Sequence, residues 1–132
     1  MYLLDTNACI HILNHDRTSR VAQKLTTLKP SQIRLCTIVI YELYYGAYKS
    51  QQRERNLELL DRFCQKFLIL TFDPKAARIA GEIRADLERN GMPIGQNDLK
   101  ISAIAIAHEC TLVTYNTREF NRINRLSLED WE

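Results

Sequence analysis

Four short apolar segments recur along the chain, each separated from the next by a longer stretch with helical spacing of apolar residues. The segments are YLL (2–4), IRLCT (33–37), FLILT (67–71) and TLVT (111–114). Neighbouring strands can run parallel only when a crossover of a dozen or more residues joins them, and that crossover is usually a helix. The pattern therefore predicts an α/β fold: a three-layer α/β/α domain with a mainly parallel central sheet. The sheet has four strands, or five if the closing LSLEDW adds one at an edge.

Capping residues mark the boundaries of the intervening helices. Ser19 and Asp73 have the side-chain chemistry of helix N-caps, and Asn90 followed by Gly91 is typical of a helix end. Asp98 is expected to open the apolar helix that follows the next loop. The apolar spacing predicts helices over 7–14, 20–28, 38–49, 52–67, 74–90 and 99–107.

The composition fits one domain over residues 1–132. The chain is 45% hydrophobic, which is enough to form one buried core. No apolar run approaches the roughly 18 residues of a membrane span, and Asp5 interrupts the first apolar run where a secretory leader would need an uninterrupted one. We expect a soluble protein of the cytoplasm that makes no membrane contact. The net charge of +2 permits a polyanionic partner without requiring one.

The cysteines and histidines do not form a metal-binding pattern. No CxxC pair exists, so reduced thiols are expected rather than a zinc site at Cys9, Cys36, Cys64 and Cys110. His11 and His15 are one helical turn apart and could bind a metal together. No third ligand follows nearby, and a polar helix face is the simpler interpretation.

Several acidic and amide side chains fall at the junctions between elements. Asp5 directly follows the first strand, and Asn116 lies two residues beyond the fourth, with Glu119 after it. Asp98 begins the helix that leads into that strand, and Glu42 lies five residues past the second strand. Sites in parallel sheets form beyond the carboxyl ends of the strands. We therefore expect these side chains to face one mouth.

Converging carboxylates need a compensating cation. Without one, their mutual repulsion would force at least one of them to take up a proton. Mg²⁺ and Mn²⁺ prefer carboxylate and water oxygens. A metal held by few protein ligands can polarise a phosphate oxygen and lower the pKa of a bound water. The sequence thus favours metal-assisted cleavage of a phosphodiester.

The helix that carries Glu42 has two further features. Gly46 lies one turn beyond Glu42, where glycine costs roughly 1 kcal/mol relative to alanine, so we expect another backbone to approach closely there. Four tyrosines, which either pack in the core or form a groove or dimer surface, occupy the neighbouring faces: Tyr41, Tyr44, Tyr45 and Tyr48.

Four motifs in order resemble those of PIN-domain ribonucleases. They are LLDTN (3–7), IYELYYGA (40–47), GQNDLKISAIAIAH (95–108) and LVTYNTREF (112–120). More narrowly, the chain resembles the VapC-type toxins of bacterial toxin–antitoxin modules over essentially its full length, including the closing LEDW. The resemblance implies an endoribonuclease dependent on Mg²⁺ or Mn²⁺ that is selective for single-stranded or structured RNA.

The resemblance also assigns roles to individual residues. Asp5, Glu42 and Asp98 match the family's core acidic positions. Many relatives carry a fourth acid where this chain has Asn116. An amide can still bind a metal or orient a water, and Glu119 could instead supply the missing carboxylate. The resemblance further implies hydrogen-bonding support around the metal ligands from Thr6, Asn7 and Thr114.

The resemblance extends to substrate and partners. The stretch IRADLERNGMPIGQND (83–98) is most similar to the subgroup that cuts initiator tRNA in its anticodon region. A homodimer is implied, as is a cognate VapB-type antitoxin that places a cationic side chain at the acidic mouth. Lys100 and the basic run at Arg53 and Arg55 either contact RNA phosphates or are ordinary solvated residues.

Three other readings of the chain stay open at this point. A phosphotransfer domain with Asp5 as nucleophile would want a second acid in the first loop, where position 7 is Asn. A thiol enzyme would pair Cys9 or Cys110 with a histidine, but no base or orienting acid is positioned for it. A non-catalytic RNA-binding or partner-binding module would explain the amide at position 116.

Overall fold

The computed structural model describes residues 1–14 and 18–131. The elements along the chain, in order, are β1 (Tyr2–Leu4), α1 (Thr6–Leu13), α2 (Arg20–Thr26), a short 3₁₀ turn (Pro30–Gln32), β2 (Ile33–Cys36), α3 (Thr37–Lys49), α4 (Arg53–Cys64), β3 (Leu68–Leu70), α5 (Pro74–Arg89), α6 (Gln96–Ala107), β4 (Thr111–Val113), α7 (Thr117–Phe120) and β5 (Leu128–Glu129). His15, considered above with His11 as a metal pair, lies outside the described residues.

The five strands form one parallel sheet in the order β3-β2-β1-β4-β5. This confirms the predicted α/β fold, with the closing segment as the fifth strand at an edge. β1 is central and pairs with β4, and the Asp5 amide continues that ladder by donating to the Val113 carbonyl at 3.1 Å. The carboxyl ends of β1 and β4 are therefore adjacent, which brings Asp5 next to the segment after Val113.

Helix caps follow the sequence closely, with one correction. Ser19 and Asp73 cap α2 and α5 by accepting from backbone amides three residues on, and Gly91 ends α5 in the left-handed region at φ +66°. α6, however, begins at Gln96 with Gly95 as its N-cap, so Asp98 lies inside the first turn rather than opening the helix. The extended backbone of Gly95 allows its carbonyl to accept from the Leu99 amide at 2.9 Å.

α6 packs against both the sheet and α5, and more of its residues are buried than in any other helix described. Its residues 101–105 are all buried, including the small side chains of Ser102, Ala103 and Ala105. Small residues let α5 and the sheet approach α6 from both sides, and burial of the larger Ile101 and Ile104 supplies hydrophobic stabilisation. This packing holds the first turn of α6, and with it Asp98, at the edge of the sheet.

α3 departs from two expectations. A Cβ at Gly46 would meet no atom within 4 Å, so the expected close approach of another backbone is wrong. The core interpretation of the tyrosines is wrong for three of the four, because Tyr41, Tyr45 and Tyr48 are more than half exposed. Tyr44 is partly buried, and its hydroxyl donates to the Asp61 carboxylate.

The helices and the thiols add two observations. Within the described residues, no helix is both long and apolar enough to span a bilayer. All four cysteines are free thiols, and three of them, Cys9, Cys36 and Cys110, are buried.

Candidate active site

Asp5 is a buried carboxylate held at the point where β1 passes into α1. Only 5% of the residue is exposed, and its Oδ1 accepts from the Ala8 amide at 2.9 Å as the N-cap of α1. Burial raises the pKa of Asp5 above its usual value. The Thr114 hydroxyl and the Ala8 amide oppose that rise by donating to the carboxylate, while Glu42 adds to it. Asp5 is thus fixed in orientation but costly to keep charged.

Glu42 reaches the same region from the second turn of α3. Its Oε1 accepts from the Thr6 hydroxyl at 2.7 Å, which joins α3 to the first residue of α1. This contact spans 36 positions of the chain. A hydrogen bond at 2.7 Å selects one orientation of a long side chain that could otherwise adopt several. Thr6 therefore directs Glu42 toward Asp5.

Asp98 shows most directly that the acids share one environment. Its pKa is raised to about 6, first by burial and then by the charges of Glu42, Glu119 and Asp5. A carboxyl shifts this way when it is buried and other carboxylates lie near it. The structure thus gathers Asp5, Glu42, Asp98 and Glu119 into one group, which we call the acidic cluster.

Asn116 and Glu119 enter the site together. The Asn116 side-chain amide donates to Glu119 Oε2 at 3.3 Å, and its backbone amide donates to the Thr114 hydroxyl oxygen at 3.0 Å. Thr114 is fully buried and donates in turn to Asp5. One chain of hydrogen bonds therefore runs from Asp5 to Glu119. The two candidates for the fourth position are thus in contact with each other.

The remaining predicted residues contribute less to the cluster. The side chain of Asn7 is exposed, and it is the Asn7 backbone amide that donates to the Asp5 carboxylate. Lys100 is partly buried on α6, but the charges that shift the pKa of Asp98 are all negative. Arg53 begins α4, and its Nε donates to the Tyr48 carbonyl at 3.2 Å. Within the part of the chain described, no hydrogen bond or ion pair joins these three side chains to the acidic cluster.

The donor set suits a hard divalent cation. Within residues 1–14 and 18–131, no three His, Cys, Asp or Glu side chains are spaced so as to hold a metal ion between them. The cluster nonetheless offers carboxylate, amide and hydroxyl oxygens, which Mg²⁺ and Mn²⁺ prefer. A cation there would offset the repulsion that raises the pKa of Asp98. The residues present therefore fit such an ion.

The thiol alternative finds no support at these positions. Cys9 is fully buried, and burial raises the pKa of its thiol well above the usual value. Burial also raises the pKa of the Cys110 thiol. His108 Nε2 lies 3.5 Å from Asp73 Oδ2, and the Cys110 thiol donates to the His108 carbonyl oxygen at 3.6 Å rather than to the imidazole. Protonated, buried thiols are poor nucleophiles.

One contact at the site was missed by sequence reasoning. The His11 ring packs edge-on against Tyr115, with ring centroids 4.7 Å apart and planes at 74°. Tyr115 lies between Thr114 and Asn116, so this contact ties α1 to the segment that carries the fourth position. An aromatic residue directly after a buried strand was the available signal, but its partner on α1 is distant in sequence.

Comparison with known proteins identifies the family. The PIN domain family profile matches residues 2–126. A Rickettsia felis protein named Ribonuclease VapC2 is 41% identical over 100% of this chain and 98% of its own length. The chain belongs to the PIN-domain family, in its VapC-type branch. A Shigella flexneri protein named tRNA(fMet)-specific endonuclease VapC is 38% identical and covers 98% of this PIN-domain chain and 97% of its own length.

Solved structures of VapC-type proteins share the fold of this PIN domain. VapBC from Salmonella typhimurium, solved bound to DNA, aligns with a TM-score of 0.92 and 35% identity over 99% of this chain and 98% of the other. VapBC2 from Rickettsia felis, bound to a fragment of its promoter, aligns with a TM-score of 0.89 and 40% identity over 99% and 98%. The resemblance inferred from the four motifs is confirmed.

Proposed function

We propose that this chain is a VapC-type ribonuclease toxin, an RNA-cleaving hydrolase that a cognate antitoxin neutralises. The observation that carries the proposal is the acidic cluster at the carboxyl ends of β1 and β4, where burial and then the charges of Glu42, Glu119 and Asp5 raise the pKa of Asp98. The relatives that match the chain from end to end are named ribonucleases or endonucleases. We take residues 1–132 as one nuclease domain.

We further propose that the cleavage depends on Mg²⁺ or Mn²⁺. Asp5, Asp98 and Glu42 would hold the ion, some of them directly and the others through bound water. Magnesium is usually bound through one or two carboxylates with water in its other positions, so the cluster need not enclose it. When bound, such an ion polarises the scissile phosphate, lowers the pKa of a bound water and stabilises the leaving oxygen.

The neighbouring side chains prepare these ligands. Thr114 donates to Asp5 and so favours its ionised form against the effect of burial. Thr6 holds Glu42 in the cluster. Asn116 orients Glu119 through its side-chain amide and is placed to orient a water in the reaction. Lys100 and Arg53 are candidate contacts for RNA phosphates.

The substrate and partners follow from the relatives. The name of the Shigella flexneri relative specifies tRNA(fMet), and residues 83–98 resemble that subgroup, so we propose initiator tRNA cut in its anticodon region. The structural neighbours are VapBC complexes, which supports a cognate antitoxin, and we propose that a cationic side chain of that antitoxin enters the acidic cluster. We propose a homodimer in the cytoplasm, where four free thiols stay reduced.

Cleavage of RNA by the purified protein tests this function. The wild-type chain with Mg²⁺ or Mn²⁺ should cut initiator tRNA, and a chelator should stop it. Asp5→Asn should reduce the rate at least about 100-fold, since electrostatic groups at a reacting centre are worth about that much. Asp86→Asn, a change at an exposed residue of α5, is the matched control and should cleave normally.

The outcome also decides between an enzyme and a binding module. Asn116 removes a charge from the fourth position, and this observation favours the non-catalytic alternative. RNA binding without cleavage in either metal would establish that alternative. Full cleavage by a folded Asp5→Asn protein would contradict the role proposed for Asp5. Circular dichroism of each variant checks that it is folded.

A further inference from the structure

α3 exposes a line of aromatic rings that the fold does not require. Tyr41, Tyr45 and Tyr48 are 61%, 58% and 56% exposed, and their spacing of four and three residues places them on one helix face. The opposite face of α3 is buried in the core through Val39, Leu43 and Ala47. We call the three exposed rings the tyrosine stripe.

Positive charge continues the tyrosine stripe toward α4. Lys49 Nζ lies 5.1 Å from the centroid of the Tyr45 ring, and Arg53 Nε donates to the carbonyl of Tyr48. Residues 49–55 contain Lys49, Arg53 and Arg55 against the single acid Glu54. Three positive charges less one negative charge leave +2, which equals the net charge of the whole chain. Residues 49–55 thus carry as much net positive charge as the whole chain.

The tyrosine stripe starts on the same turn of α3 that carries Glu42 of the acidic cluster. Tyr41 immediately precedes Glu42 on α3, and Gly46, one turn beyond Glu42, adds no side chain to the helix surface there. Tyr41 and Tyr48 are seven residues apart, a distance of about 10 Å along a helix. Successive nucleotides of a stacked strand are about 3.4 Å apart, so the stripe matches about three bases.

We infer that the tyrosine stripe, with Lys49, Arg53 and Arg55, binds a single-stranded segment of the RNA substrate and leads it to the acidic cluster. Aromatic rings stack on any base, and neighbouring cations follow the phosphates. This inference rests on the proposed ribonuclease function and adds the surface that holds the substrate and the single-stranded form of the RNA that it accepts.

Charge favours RNA over a second copy of this chain as the occupant. A twofold contact places the same patch on both sides of the interface, so the net positive charge of residues 49–55 would lie on both sides and oppose association. A single-stranded RNA can stack its bases on the tyrosine rings while its phosphates neutralise the neighbouring cations. Self-association through the stripe is therefore the competing outcome of the test.

RNA binding without cleavage measures the stripe directly. The probe is a short, fluorescently labelled single-stranded RNA of mixed sequence, followed by anisotropy in excess EDTA. Tyr45→Ala and Tyr48→Ala should each weaken binding about tenfold, as expected for loss of one stacked base. Tyr45→Phe keeps the ring and should bind like wild type. Leu68→Ala removes an equally exposed apolar side chain on β3 and should leave binding unchanged.

The mass of each variant in solution, measured by sedimentation equilibrium, separates the two occupants. Weaker binding at unchanged mass supports the inference. A lower mass in Tyr45→Ala would make the stripe a contact between copies and overturn it, as would wild-type binding in both alanine variants. Failure of the proposed function is recognised separately, because Asp5→Asn is assayed by cleavage in metal and the stripe by binding in EDTA.

Discussion

At the scale of single residues, hydroxyl groups organise the acids. Thr114 donates to Asp5 and accepts from the Asn116 amide, so one buried side chain connects two parts of the site. Thr6 on α1 likewise donates to Glu42 on α3 and so connects two helices. Each hydroxyl can rotate to donate to a carboxylate while its oxygen accepts another bond. These residues carry no charge, so they support the cluster without adding to its repulsion.

Replacing Thr6 tests the positioning of Glu42. Thr6→Val keeps the shape of the side chain but removes the donor, so Glu42 should lose its fixed orientation and metal-dependent cleavage should fall about tenfold, the effect typical of a residue that supports metal ligands. Thr6→Ser restores a hydroxyl and should recover most of the activity. The metal concentration for half-maximal cleavage should rise in Thr6→Val; equal metal dependence in all three proteins would contradict the role of Thr6.

At the scale of elements, the ends of helices position the site. α1 starts at a cap that is itself a candidate metal ligand, Asp5. α5 starts at the Asp73 cap, where the Ala76 amide donates to Oδ1 at 2.8 Å, and it packs against α6, which carries Asp98 in its first turn. A capped, well-packed α5 therefore supports Asp98 indirectly. The same cap chemistry fixes Asp73 at the start of α5 and a candidate metal ligand, Asp5, at the start of α1.

Loss of the Asp73 cap should reduce stability but not catalysis. Asp73→Ala leaves the first amides of α5 without a side-chain acceptor, which costs about 1 kcal/mol of unfolding free energy. Asp73→Ser keeps an acceptor and should cost much less. Urea unfolding measures both values. Similar losses in the two variants would indicate that the contact of Asp73 with His108, rather than the cap, provides the stability.

At the scale of the whole molecule, the parallel sheet concentrates negative charge at one edge. β1 and β4 are neighbours in the middle of the sheet order, although more than 100 residues separate Tyr2 from Thr111 in register. Acids from distant parts of the chain therefore lie close together in the folded protein. Folding removes part of the water that would hydrate these carboxylates in the unfolded chain, which is unfavourable. The acidic cluster should destabilise the metal-free protein at neutral pH.

The pH dependence of stability should reveal this cost. The pKa of Asp98 is raised from 3.8 to about 6 in the folded state, so the folded protein binds this proton more tightly than the unfolded chain. The resulting stabilisation is fully present below about pH 4 and is lost as the pH rises through about 6, with a magnitude of about 2 kcal/mol or less.

Urea unfolding in EDTA at several pH values, with wild type and Asp98→Asn compared, measures that contribution. Asp98→Asn should show a smaller fall in stability between about pH 4 and 6, with the remainder due to Asp5, whose pKa is also raised by burial. Adding Mn²⁺ should flatten the wild-type profile, because a cation favours the ionised carboxylates, and should have little effect on the variant. Parallel profiles for the two proteins in EDTA would contradict the raised pKa.

The sequence by itself determined the parallel α/β fold, most helix boundaries and the identity of the principal acids. Strand and helix periodicity and the caps at Ser19 and Asp73 are local properties, because nearby residues set them. Asp5 could be placed at a strand end for the same reason. The four ordered motifs pointed to the family because they preserve local patterns at fixed spacing.

Only the tertiary structure decided which side chains touch. The hydrogen bond of Thr6 with Glu42, the contact of Asn116 with Glu119 and the edge-on contact of His11 with Tyr115 depend on how separate elements pack. The exposure of the tyrosine stripe and the open space at Gly46 depend on which helix faces are covered by neighbours. Local periodicity carries no information on those neighbours, since contacts between distant segments are set by the packing of the whole chain.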